Sequence, residues 1–267
     1  MSDQTFQGTR ALVTGAGRGF GYAIAERLLG EGAQVAVTGR DRARLAEAAR
    51  RLRARGGTVL ELPGDAKDPA TMTATVARVA EEWGALDLLV DNAGVAGPGG
   101  PTWEIEAREW WSALEDNLLT TVASSCAAVE SMLRTGGGRV VHISSEAGNG
   151  IWPFVSSYSV AKAGCIKFFE NLAYELRGTR VEVYTLHPGI LETGLTAQAL
   201  TYRDDPDPWR RRCAAWFARQ IHQGNTISLD DALDALTLLA AGRTDCPQGR
   251  FVTVADVLGA REDSGAA

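Results

Sequence analysis

The first short apolar run, RALVTG (residues 10–15), flows into a glycine-rich turn, TGAGRGFG (Thr14–Gly21). Phe20, Ile24 and Leu28 then recur at helical spacing. A buried strand that turns into a helix through Gly15, Gly17, Gly19 and Gly21 has few ways to fold. Glycine permits the tight turn and lets backbone N–H groups come close to a bound anion. The helix N-terminus adds partial positive charge. An unliganded glycine turn is the plain alternative. The place of this one, between a first strand and a helix with a second strand behind it (AQVAVTG, 33–39), favours a pyrophosphate-binding turn.

The rest of the chain alternates in the same way. GTVLEL (57–62), LDLLVDNAG (86–94), GRVVHISS (138–145), VEVYTLHPG (181–189) and RFVTV (250–254) read as strands. Helical stripes lie between them: Leu45, Ala48, Ala49 and Leu52; then Met72, Val76, Val79, Ala80 and Trp83 after an Asp68-Pro69 start. One long helical stretch is expected over 107–133 and another over 156–177. Ser228 with Asp231 forms a capping box for a further helix. The order predicts an α/β fold: a doubly wound parallel sheet of the Rossmann type, with helices on both faces, in a single domain over 1–267. Such sheets bind ligands at the carboxyl ends of their strands.

Composition narrows the partners. The net charge of -6 speaks against nucleic acid and anionic membrane as partners. Met1–Gly8 is too polar for a signal peptide, and no apolar run approaches the roughly 18 residues of a membrane span. Cys126, Cys165, Cys213 and Cys246 are scattered without a C-x-x-C pair. Reduced thiols in a cytoplasmic protein are expected, with no metal site. The segment 261–267 reads as a frayed tail.

The end of the second strand bears on which dinucleotide fits. An acid there would bind the ribose 2′-OH of NAD(H); an arginine suits the 2′-phosphate of NADP(H). Gly39 stands at that position and Arg40 follows, with Arg18 in the glycine turn as a second cation. This favours NADP(H). The alternative leaves Arg40 in solvent and gives the ribose to Asp41.

Tyr158 and Lys162 are four apart on one helical face. A free phenol is a poor acid or base near neutrality, and a fixed ammonium beside it favours the phenolate. Lysine is scarce, 3 of 27 basic residues, and its compact ammonium has rotatable donors. Alone, this spacing fits any amphipathic helix. It is joined by T-G-x-x-x-G-x-G at Thr14–Gly21, N-A-G at 92–94, Asn117, Ser145 and P-G-I-L-E-T at 188–193. In this order the set resembles the short-chain dehydrogenase/reductase family across almost the whole chain.

The resemblance implies a hydride transfer between nicotinamide and a carbonyl or secondary alcohol. Tyr158 would be the general acid or base, and Lys162 would assist it and hold the nicotinamide ribose. Ser145 would bind the substrate oxygen, and Asn117 would hold a water linking Lys162 to solvent. Gly15, Arg18, Gly19, Phe20, Arg40, Asp65, Ala66, Asn92, Ala93, Gly94, Pro188, Gly189, Ile190 and Thr193 would line the cofactor cleft. Segment 193–225 would be the substrate lid. Trp152, Phe154 and Tyr202 would join Ser145 and Tyr158 around an apolar or ring-containing small molecule, unless the aromatics only pack the lid. Family members form homodimers or homotetramers, and the stripe Leu114, Leu118, Val122 suits an interface or the core. An epimerase using transient oxidation and a non-catalytic NADP sensor are the rival readings. Asp91 stands where the family commonly has asparagine. Glu146 faces pocket or solvent, and His142 and His187 read as core residues. The usual D-G-G ending is missing.

Overall fold

The computed structural model describes residues 5–264, with side chains through Ala260. Seven parallel strands form one sheet: β1 (Arg10–Thr14), β2 (Gln34–Gly39), β3 (Val59–Pro63), β4 (Leu88–Asp91), β5 (Gly138–Ile143), β6 (Val181–His187) and β7 (Phe251–Thr253). Their spatial order is β3-β2-β1-β4-β5-β6-β7, so the winding reverses between β1 and β4. The expected doubly wound α/β fold is present.

Helices cover both faces because each carries one apolar stripe. On one side α1 (Gly19–Gly30), α2 (Arg42–Arg53) and α9 (Leu229–Ala241) bury Ile24, Leu28, Leu45, Leu52 and Leu236 against Val13, Val35 and Leu186. On the other, α3 (Pro69–Trp83), α5 (Thr120–Thr135) and α6 (Ser156–Glu175) bury Met72, Val79, Met132 and Phe169 against Leu12, Leu89 and Val183. Full burial of one such aliphatic side chain stabilises by roughly 1.5–3 kcal/mol.

Helix starts follow local chemistry. The Asp68 carboxylate accepts from the N–H groups of Ala70 and Thr71 with Pro69 at the first position, as expected. Ser228 caps α9 by accepting from the Asp231 N–H, and its hydroxyl donates back to the Asp231 carboxylate.

Three segments differ from expectation. The stretch 107–133 is not one regular helix. It is α4 (Ala107–Leu114), a π turn over Glu115–Leu119, and α5. Inside that turn the buried Asn117 amide donates to the Ala113 carbonyl at 2.8 Å, engaging an acceptor of the helical ladder. The last strand stops at Thr253 and α10 (Val254–Ser264) begins at once. The Asp256 carboxylate accepts from the Thr253 N–H and hydroxyl, and Thr253 Oγ1 accepts from the Asp256 N–H. This box converts strand to helix without a glycine pair. The expected frayed tail is therefore helical as far as Ser264; residues 265–267, like 1–4, lie outside the described residues. Third, segment 193–225 contains α7 (Gly194–Leu200) and α8 (Pro208–His222), the latter capped by Asp207, which accepts from Trp209 N–H.

Candidate active site

The strand order reverses between β1 and β4, the place where doubly wound sheets take their ligands in a crevice at the strand ends, and the glycine turn lies there. Thr14 Oγ1 accepts from the N–H groups of Asn92 and Ala93, both at 3.0 Å, and Asn92 Nδ2 donates to the Thr14 carbonyl. A Cβ on Gly21 would fall 2.5 Å from Asn92 Nδ2, so only glycine lets the turn and the N-A-G segment interlock. A Cβ on Gly94 would fall 2.7 Å from Asn117 Oδ1. That oxygen accepts from Val95 N–H while Asn117 Nδ2 donates to the Val95 carbonyl. The Asn117 side chain thus pins the segment after β4.

The turn fits a pyrophosphate by an observation on the helices. The first N–H groups of any helix lack intrahelical partners. Side chains of Asp41, Asp68, Asp207 and Ser228 cap α2, α3, α8 and α9. At α1 the cap residue is Arg18, and, as at α5, α6 and α7, no side chain caps the helix; α1 is the one of these that follows the glycine turn. Its N-terminal donors are left for an anion in the crevice.

A second corner forms where β5 meets α6. Ser145 follows β5, and its Oγ accepts from Ala147 N–H at 3.2 Å in a one-turn 3₁₀ segment, Glu146–Gly148. Tyr158 lies in the first turn of α6 and Lys162 one turn further. Lys162 is only 5% exposed, and its Nζ donates to the Ile143 carbonyl at 2.7 Å. That carbonyl lies two residues before Ser145, and the ammonium is 6.0 Å from the Tyr158 ring centre. Lysine has three donors, so two remain for other partners. The segment that Ser145 opens packs on α6 at Lys162, since a Cβ on Gly148 would fall 2.6 Å from the Lys162 carbonyl carbon; Asn117 holds Val95 after β4.

Beneath the crevice lies a pair the sequence reading missed. Asp91 and His142 are opposite each other across β4 and β5, and both are buried. His142 Nδ1 is 2.7 Å from Asp91 Oδ2, and Asp91 Oδ1 accepts from Ser124 Oγ at 2.9 Å and more distantly from Thr14 Oγ1. Burial opposes charge on Asp91, but the hydrogen bond and charge of His142 hold its carboxyl below the usual range. Burial and the Lys162 charge oppose protonation of His142, yet Asp91 holds its imidazole above the ordinary value. His142 also stacks on Phe169. His187 stacks on Phe251; burial lowers its pKa, and the Glu146 charge acts against that shift, which places Glu146 within electrostatic reach of His187.

The outer end of the crevice gathers charge. Gly39 closes β2 and Arg40 is exposed beyond it. Arg40 Nη1 lies 3.4 Å from Asp116 Oδ1, and Lys67 Nζ donates to the same oxygen at 2.9 Å. The Asp65 carboxylate accepts from Lys67 N–H, and Ala66 is buried beside it. The Arg18 guanidinium donates to Gln198 Oε1 on α7, at 2.9 Å, and is not brought to Arg40. On the opposite flank, Pro188 and Gly189 leave β6; Ile190 accepts from Ile227 N–H, and Thr193 precedes α7.

The aromatic residues meet one another. Trp152 sits edge-on to Trp216, and Phe154 stacks on Trp209, at 4.9 and 4.8 Å between ring centres. Arg212 lies over the Phe154 ring, and Gly100 N–H donates to the Phe154 carbonyl. Gln198 Nε2 donates to the Tyr202 hydroxyl. These contacts dock α8 on the loop before α6, so the aromatics at least pack the lid.

A family model described as short chain dehydrogenase matches residues 9–203. The ketoacyl reductase HetN of Nostoc sp. is 34% identical over 193 residues, covering 72% of this chain and 67% of HetN. The 3-oxoacyl-(acyl-carrier-protein) reductase of Salmonella typhimurium is 34% identical over 72% of this chain and 77% of its own length. A crystal structure of an actinorhodin polyketide ketoreductase variant with NADPH superposes with a TM-score of 0.80 at 28% identity, covering 95% of this chain and 97% of that one. A doubly wound sheet with a glycine turn at its switch point is a nucleotide-binding architecture, and the family match makes its class that of the oxidoreductases. The chain belongs to the short-chain dehydrogenase/reductase family.

Proposed function

We propose that the protein is an NADP(H)-dependent reductase of carbonyl compounds, working reversibly on secondary alcohols. What supports this reading is Lys162, buried one turn after Tyr158 and anchored on the Ile143 carbonyl two residues before Ser145. When bound, the nicotinamide supplies or accepts the hydride. In carbonyl reduction, Ser145 donates a hydrogen bond to the substrate oxygen, and Tyr158 passes it the proton. Lys162, anchored by Ile143, presents its remaining donors to the ribose and Tyr158. Asn117 fixes the wall at Val95, and the main chain of its π turn would hold the water that connects Lys162 with solvent.

NADP(H) is supported by the end of β2. Asp41, the one acid that could serve the ribose of NAD(H), caps α2 by accepting from Arg44 N–H at 3.0 Å and pairs with the Arg44 guanidinium. Arg40 keeps most of its five donors. Asp65 and Ala66 would flank the adenine; Pro188, Gly189, Ile190 and Thr193 would meet the nicotinamide side. The expected result is a kcat/KM for NADPH at least about tenfold above that for NADH, as one charged hydrogen bond to phosphate would supply. Steady-state rates with a panel of cyclic and aliphatic ketones test it; an NADH preference would overturn it.

The lid of α7 and α8 would cover the substrate, with Trp152, Phe154 and Tyr202 at its inner edge. The ketoacyl and polyketide reductase relatives support a carbonyl substrate of apolar or ring-containing type. Leu114 is buried, whereas Leu118, which lies against Gly164, and Val122 are partly buried. Trp111, Leu119, Leu133, Val160 and Tyr174 remain exposed on α4–α6 and its π turn, which suits a homodimer or homotetramer. The free cysteines suit a reducing cytoplasm. No helix among the described residues is long and apolar enough to cross a membrane.

A further inference from the structure

We propose that Lys67 is a recognition residue for the 2′-phosphate of the cofactor, paired with Arg40 and held in place by Asp116. The proposal rests on the NADP(H) reading above and reassigns the second cation, expected at Arg18, to a residue outside the motifs that carry the family resemblance. Arg18 points to Gln198 of the lid and is not brought beside Arg40. Lys67 and Arg40 instead converge on one oxygen, Asp116 Oδ1.

Three elements build this cluster. Arg40 follows β2, Lys67 lies in the turn between β3 and α3, and Asp116 is in the π turn, next to Asn117. The three carry a net single positive charge. Asp116 is the less exposed partner, its side chain 19% exposed against 34% for Lys67 and 52% for Arg40. The carboxylate is therefore the fixed post and the cations are the outward heads. Each cation uses one donor on Asp116 in the structure, leaving two on Lys67 and four on Arg40. The Asp116 hydrogen bond, with the Asp116 and Asp65 charges, raises the Lys67 pKa against burial and the like charge of Arg40, so the ammonium stays charged. Two cations brought together by one carboxylate leave donors for a second, stronger anion. A phosphate dianion fits that demand; a ribose hydroxyl does not. Lysine is rare in this chain: Lys162 is in the candidate catalytic corner and Lys167 pairs with Glu170 at the surface, which leaves Lys67 as the one at the outer end of the crevice.

The test is equilibrium binding of 2′,5′-ADP and 5′-AMP to the full chain, by calorimetry, for wild type, Lys67→Met and Lys67→Arg. The expected result is a loss of about ten- to hundredfold in 2′,5′-ADP affinity for Lys67→Met. Its 5′-AMP affinity should be unchanged, and Lys67→Arg should retain most of the 2′,5′-ADP affinity. If wild type prefers 2′,5′-ADP and Lys67→Met keeps that preference, the proposal fails while the NADP(H) reading stands. If Lys67→Met weakens both ligands equally, the residue serves the adenosine and the proposal also fails. If wild type binds both ligands equally, the NADP(H) reading fails and takes the proposal with it.

Discussion

Tyr158→Phe should lower turnover by about 10²- to 10⁴-fold, the range a positioned general acid contributes. The substitution removes one hydroxyl and leaves the ring. In the structure Tyr158 sits at the start of α6 with Lys162 one turn later. The Lys162 ammonium is held by Ile143, not by the phenol, so its position does not depend on the hydroxyl. The wall built by Thr14, Asn92 and Asn117 is held by hydrogen bonds that do not involve the phenol. Cofactor affinity should therefore change little. The measurement is kcat by nicotinamide absorbance beside Kd for the reduced cofactor by fluorescence titration. Near-normal turnover would remove Tyr158 from the proton path.

His142→Leu should be the costliest single change in stability, about 3–5 kcal/mol, because it strands one member of a buried ion pair. The Asp91 carboxylate would keep Ser124, the distant Thr14 hydroxyl, Thr121 and the Lys162 charge but lose its strongest partner. Asp91→Asn should cost less, since an amide can still meet Ser124 and a neutral imidazole. Urea unfolding at constant pH measures both; a His142→Leu loss under about 1 kcal/mol would mean that the pair is not ionic. The pH dependence has a definite sign. The His142 pKa is raised in the folded state, so its contribution is complete below the ordinary histidine value of about 6.5 and fades as pH rises through the higher folded value. The Asp91 pKa is lowered, so its contribution is present above the ordinary value of about 3.9 and is lost as pH falls through the lower folded value. The pair therefore stabilises most between about pH 4 and 6.5. His142 also directly precedes Ile143, which anchors Lys162, so loosening the pair should reach the candidate catalytic corner as well.

Much of this architecture was legible in the chain. Each strand is a short apolar run that stops at a glycine or a polar motif, and each helix repeats its apolar residues on one face. The parallel sheet follows from that alternation, and it puts the glycine turn, Asn92–Gly94, Ser145 and Pro188–Gly189 at strand ends, while Asn117, Tyr158 and Lys162 come from the helices between them. What escaped reading has physical causes. The π turn at Asn117 adds one residue to a helical turn, and the apolar stripe of 107–133 runs through it without a visible break. The start of α8 is signalled by Asp207-Pro208, the same pair that starts α3, but it lies between an acidic run and Arg210–Arg212 in a segment whose only expected role is that of a lid. Asp91 and His142 are 51 residues apart and meet only through strand register. The convergence of Lys67 and Arg40 on Asp116 likewise joins three loops that no local pattern connects.

The most direct test of the central claim follows the hydride. NADPH carrying deuterium at both nicotinamide C4 positions is incubated with a ketone that the enzyme turns over, and the product is read by mass spectrometry. The account predicts one deuterium on the carbinol carbon and one NADP+ formed per alcohol. Turnover without net oxidation of the cofactor, or cofactor binding with no transfer to any carbonyl, would contradict it.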